Sequence, residues 1–161
     1  MKLIPLTQGQ FAQVDDEDYN YLNQFNWQVR KIGYTYYASR HIKRISKTKI
    51  IDIFMHRDIM ECTKTQMIDH IDRNGLNNQK INLRYCTYSE NQMNKRNFGK
   101  VKYKGVSLCN FKSEKGKYRA MIRLNHKLIH LGYFINAIDA AHAYDIKAKD
   151  LFGEFANLNF K

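Results

Sequence analysis

Met67-Ile68-Asp69-His70-Ile71, followed by Arg73-Asn74-Gly75 and then by Leu83-Arg84-Tyr85-Cys86, is the stretch that decides the fold. Two short runs with strand composition flank turn chemistry, and Asn77-Asn78 extends the turn into a loop. Met67 to Ile71 is predicted as one strand and Leu83 to Cys86 as the next. Thr87 or Ser89 offers a cap for a helix running through Met93. Strand, loop, strand and helix in roughly 30 residues bury too little to fold alone, so the first 60 residues are expected to pack against them.

Upstream, Phe11 to Val14 is short and apolar. Asp15 and Asp16 offer helix caps, and Tyr19, Leu22 and Phe25 recur at helical spacing. The acids of the run Asp15 to Asp18 suit the first turn of a helix, where the dipole favours negative charge. Trp27 to Val29, Thr35 to Ser39 and Lys49 to Phe54 have the composition of strands in a meander. Downstream, Asn97-Phe98-Gly99-Lys100 has linker composition. Lys104 to Phe111, Tyr118 to Leu124 and Lys127 to Phe134 are predicted as three strands, with Gly116 and Asn125-His126 at the turns. Ala137, Ala140, Ala141, Tyr144, Ala148 and Leu151 trace one face of a helix that Gly153 ends. The expected class is α+β: a mixed N-terminal region, then a three-stranded antiparallel sheet packed on one helix. The expected division is 1–97, a linker at 98–102, and 103–161.

The chain has 161 residues, 43% of them hydrophobic, so a packed core is expected. Net charge is +12, divided as +9 over residues 95–161 and +3 over residues 1–94. A basic excess concentrated in one segment points to a polyanionic partner, because Lys and Arg displace the counterions condensed on nucleic acid. Cys62, Cys86 and Cys109 contain no CxxC pair, which indicates neither a zinc knuckle nor a disulfide framework. The N-terminus shows no signal-peptide pattern, and no run approaches the ~20 apolar residues of a membrane span.

A histidine beside an acid, with amides following at fixed distances, is a set able to hold one divalent cation against a phosphate and deprotonate a water. His70 suits the base because imidazole titrates near neutrality. Asp69 and an amide from the following helix can hold one hard cation with positions left open for phosphate and water. Adjacent strand residues point to opposite faces, so Asp69 and His70 serve one site only at a strand end or irregularity.

At His56-Arg57, Asp69-His70-Ile71-Asp72, Asn77-Asn78, Asn82-Leu83-Arg84, Cys86-Thr87 and Glu90-Asn91-Gln92 the chain resembles the HNH nucleases, with their ββα-metal core. It is most similar to the homing endonucleases of phages and mobile introns. The resemblance implies that Asp69 and Asn91 ligate the metal, that His70 is the general base, and that Asn82 braces the loop and orients the histidine. Asn94, one turn beyond Asn91, competes for the ligand role. Family members often carry His where this chain has Asn91; an amide there favours magnesium, or manganese, over zinc.

Tyr103-Lys104-Gly105-Val106, Lys117-Tyr118-Arg119-Ala120, Leu131-Gly132-Tyr133-Phe134, Ala140 to Asp145 and Phe152 to Asn159 resemble the ethylene-response-factor (AP-two family) DNA-binding domain. That family inserts a sheet into the major groove, which distinguishes all base pairs. The resemblance maps sheet contacts to Lys104, Ser107, Tyr118, Arg123 and His130, with Arg119 as a basic neighbour. Lys104, Ser107 and His130 depart from the usual Arg and Trp, so the target sequence does not carry over.

The combined expectation is a metal-dependent, homing-type endonuclease for double-stranded DNA in the cytoplasm of a phage-infected or bacterial host. It is expected to act as a monomer that nicks one strand per docking event, with no membrane partner and no small-molecule cofactor. Two rivals stand beside it: a non-catalytic DNA-binding regulator with a retired HNH core, and a structural RNA-binding protein, for which no aromatic RNP-type signature speaks.

Overall fold

Period-two burial builds the first hairpin. β1 (Lys2–Pro5) buries Ile4, and β2 (Phe11–Val14) buries Ala12 and Val14 against it. The computed structural model describes residues 1–44, 50–97, 99–110 and 116–160. The expected strand start at Lys49, the linker's Phe98 and the expected strand end at Phe111 lie outside them. The chain divides into two compact units, Met1–Thr87 and Tyr88–Lys161.

In the first unit, α1 (Asp16–Leu22) follows β2 directly. A three-stranded antiparallel sheet comes next, ordered β3 (Gln28–Ile32), β4 (Thr35–Arg44), β5 (Ile50–Phe54). The short α2 (Met55–Ile59) and the antiparallel pair β6 (Met67–His70) and β7 (Leu83–Cys86) complete the unit. Ile4, Val14, Leu22, Trp27, Ala38 and Met55 form one core, and Leu76 of the loop between β6 and β7 packs against it. Trp27 donates its indole N–H to the Leu22 carbonyl at 2.8 Å, which lets a large aromatic be buried without an orphaned polar atom. Two elements were not expected, β1 and α2. Each is four or five residues with a single buried side chain, Ile4 and Met55, too few for a period to emerge.

The second unit holds α3 (Tyr88–Asn94), β8 (Val106–Leu108), β9 (Tyr118–Leu124), β10 (Lys127–Phe134) and α4 (Ala137–Phe152). The sheet is antiparallel, ordered β10-β9-β8, and α4 packs on it, as expected for the class. Ala140, Ala141 and Ala148 let the helix approach Ala120 and Ile122 closely. Asn136 caps α4 by accepting the Asp139 N–H at 2.8 Å. Gly105 has φ +76°, and an added Cβ would lie 1.9 Å from the Tyr144 ring, so no other residue fits there. The expected boundary at 97/98 differs from the observed division by α3, which clusters with the sheet and α4.

Candidate active site and nucleic-acid interface

β6 carries Asp69 and His70 at its C-terminal end, where the chain leaves the strand, and both side chains are buried. His70 is the last residue of the strand, the placement at which neighbouring side chains can turn to one site. Across the ladder Asp69 pairs with Arg84 of β7, whose Nε and Nη2 donate to the same carboxylate oxygen at 3.0 and 2.8 Å. Such an arginine ion pair, largely shielded from water, is geometrically specific.

The loop between the strands is held by its own amides and acids. Asn82 accepts the Asp72 N–H at 3.0 Å and donates to the Asp72 carboxylate and the Asn77 carbonyl at 3.0 and 2.8 Å. Asp72 also accepts from the Asn74 N–H and the Asn77 amide, both at 2.8 Å, so it shapes the turn. Asn82 thus closes the loop through its own side-chain hydrogen bonds. The loop is then tied to the N-terminal hairpin: the Asn78 N–H donates to Gln13 O at 2.7 Å, and the Gln13 N–H to Leu76 O at 2.8 Å. Asp15 is the N-cap residue of α1, yet its carboxylate makes no cap bond. It accepts instead from Gln79 Nε2 at 3.1 Å and the Lys80 N–H at 2.7 Å, which corrects the expected capping role.

His70 sits in a small aromatic box. Its Nε2 lies 3.4 Å from Asn78 Oδ1, and its ring meets those of His56 and Tyr37 at centroid distances of 5.0 and 5.8 Å. Burial pushes the His70 pKa down, against the opposing pull of Asn78, Asp72 and Asp69, so the ring is unprotonated at neutral pH and suited to accept a proton. Asn78, at 0% exposure, stands beside His70, a place that the sequence pattern does not announce. A polar residue in an Asn-rich loop gives no sign of burial. Gly75 packs directly on this box: a Cβ there would stand 2.5 Å from Tyr36 O and 2.6 Å from the Tyr37 ring.

Asp69 offers a carboxylate oxygen, a donor type that hard cations take. Among the described residues no group of three His, Cys, Asp or Glu side chains is placed to hold a metal ion. Asn91 lies on α3, in the second unit, with Asn94 buried one turn beyond it.

No family model matches the chain. A protein of Acanthamoeba polyphaga mimivirus, described as an uncharacterized HNH endonuclease, is 30% identical over 154 residues, covering 94% of this chain and 75% of the viral protein. The chain belongs to the HNH endonuclease family.

The second unit of this HNH protein presents a polar sheet face. β9 alternates: Ala120 and Ile122 turn to α4, while Arg119, Met121 and Arg123 turn outward. Register places Ser107 and Tyr133 beside Arg119, His130 beside Met121, and Leu128 beside Arg123. Ser107, Arg119, Arg123 and His130 therefore share one face of the sheet, with Ser107 Oγ itself sealed from solvent. Tyr133 joins them, its ring 4.6 Å from that of His130. Cross-strand register, invisible in a single strand, is what adds it. Two expected contacts are corrected. Tyr118 packs on the α4 side with the core of Val106, Ala120, Ala140 and Ala141, as its even position in β9 requires. The Lys104 ammonium donates to the carbonyls of Met93 and, at 2.8 Å, Lys95, where it satisfies the free carbonyls at the end of α3.

Proposed function

We propose that this HNH protein is a metal-dependent, homing-type endonuclease that hydrolyses phosphodiester bonds in double-stranded DNA, one strand per docking event, as a monomer. The observation that carries the reading is the buried Asp69-His70 pair at the end of β6, facing a loop that Asn82 closes.

In this reading His70 takes the proton of the attacking water, and burial keeps its ring unprotonated and ready. Asn82 holds the loop, and through it the strand end that carries His70, in one shape. By the family resemblance, Asp69 and Asn91 would hold a single divalent cation, magnesium or manganese, which would supply charge neutralisation at the phosphate and the leaving oxygen. The outward sheet face of Ser107, Arg119, Arg123, His130 and Tyr133 docks on duplex DNA, in the manner of ethylene-response-factor domains. A one-metal site contacts few bases, so affinity and register come from elsewhere in the chain.

One observation favours the rival, a retired nuclease core serving a DNA-binding regulator: the Asp69 carboxylate already carries the Arg84 guanidinium. A single assay separates the two. Purified protein with magnesium should relax supercoiled plasmid, and EDTA should stop it while leaving DNA binding intact. His70→Ala should lower the rate by ~10² to 10⁴ with binding kept within a few-fold. A protein that binds plasmid but never cuts it, with magnesium or manganese, is the regulator.

A further inference from the structure

Next to His70 stands a second histidine that the mechanism above leaves unused. His56, on α2, meets the His70 ring nearly at right angles, with centroids 5.0 Å apart and an interplanar angle of 80°. Phe54 stacks on it at 5.6 Å, and Tyr37 closes another side at 5.8 Å. Its Nδ1 is sealed from solvent with no hydrogen-bond partner among the described residues. The ring as a whole is only part-buried, with Nδ1 its sealed nitrogen.

Packing alone does not call for a nitrogen here. A phenylalanine would fill the same box between Tyr37 and Phe54 without leaving a polar atom orphaned. A buried acceptor without a partner is tolerated better than a buried donor without one, which places the ring proton on Nε2 and the lone pair on Nδ1. His56 thus offers one hydrogen-bond donor in the box that holds the candidate base. The two rings are in contact, and the oxygens of a phosphate bound beside His70 would be strong acceptors for such a donor.

We propose that His56 is a second substrate-contacting residue, donating its Nε2 proton in a hydrogen bond to a phosphate oxygen of the DNA strand held beside His70. The proposal rests on the reading of His70 as the base. It gives the two histidines different work: His70 accepts a proton from water, and His56 orients the phosphate and strengthens its bond as negative charge builds on the oxygen.

Three variants of the full chain test it on supercoiled plasmid with magnesium. His56→Phe keeps the ring and removes the donor, so kcat/KM should fall roughly 10²-fold with the melting temperature unchanged or raised. His56→Gln, whose amide Nε2 reaches to the same distance, should recover most of the loss, and His56→Ala should not. Full activity in the Phe variant makes His56 a packing residue and overturns the proposal. So does a folded Gln variant no better than Ala. A readout without turnover uses the 15N-labelled protein and a duplex oligonucleotide in EDTA. The His56 Nε2 resonance should report a protonated nitrogen and move as duplex is added; an unmoved resonance on a protein that binds the duplex also overturns it. His70→Ala keeps this response while losing cleavage. If His70→Ala instead cuts like wild type, the base assignment fails by itself, and the NMR titration still decides His56.

Discussion

Burial holds His56 neutral down to about pH 3, whereas the imidazole of an unfolded chain takes up its proton near pH 6.5. Between those values the unfolded chain binds a proton that the folded one refuses. Stability therefore rises with pH across the window and falls as the solution is acidified from about 6.5 toward 3. His70, lowered by burial as well, acts in the same direction. One group contributes a slope of at most about 1.4 kcal/mol per pH unit. Urea unfolding at several pH values between 7.5 and 4.5 should show this acid loss in the wild type and a shallower one in His56→Phe. Parallel losses in the two proteins would mean that the sensitivity arises elsewhere. The Phe variant thus carries two expectations of opposite sense: gained acid stability and lost cleavage. A residue kept only for packing would show the first without the second.

The element that holds the candidate base is the loop from Ile71 to Asn82, and its anchors lie outside it. Asp15 receives Gln79 and Lys80, and Gln13 receives Asn78. Hydrogen bonds to a charged acceptor contribute about 1.5–3 kcal/mol each. Asp15→Ala should therefore loosen the loop, speed hydrogen exchange at the Lys80 amide, and slow cleavage several-fold with DNA affinity unchanged. An equally protected Lys80 amide in the variant would show that this contact does not hold the loop. Such tethers explain what could be read in advance. β7, β9 and β10 follow from composition and turn residues local to each strand, and α4 from an alanine and aromatic period over sixteen residues. Asp69, His70 and Asn82 stood out because their spacing is local too. The role of Asp15 did not, since an acid before a helix has a sufficient local explanation in the cap. Asn78 beside His70 and the Lys104 bond to the end of α3 depend on residues distant in the chain or on burial that a polar side chain does not announce. Tyr118 was misplaced because a resemblance supplies residue types, whereas the face is set by strand parity against Ala120 and Ile122.

At the scale of the whole chain, the division between Thr87 and Tyr88 changes what truncation should do. A boundary at 97/98 makes residues 1–97 a complete cutting module. In the structure α3 belongs to the second unit: Met93 packs with Ile122, Tyr144, Ala148 and Phe152, and Lys104 and Asn157 donate to carbonyls at its end. Seven residues do not hold a helix in water without such partners, because nucleation is unfavourable and few bonds follow it. A fragment of residues 1–97 should fold through its own core of Ile4, Val14, Leu22, Trp27 and Met55, and its amides over 88–94 should exchange as in an open chain. With the segment bearing Asn91 unfolded, that fragment should fail to cut plasmid at any magnesium concentration. Residues 88–161 should fold alone and bind duplex DNA with a steep salt dependence, since the +9 charge of residues 95–161 lies within them and each phosphate neutralised adds about 0.9 to the log–log slope. Hydrogen-exchange mass spectrometry of both fragments and gel shifts across a salt series would measure these outcomes. Protected amides over 88–94 in the shorter fragment, or plasmid cleavage by it, would return α3 to the first unit; absence of duplex affinity in residues 88–161 would remove the docking role from the sheet.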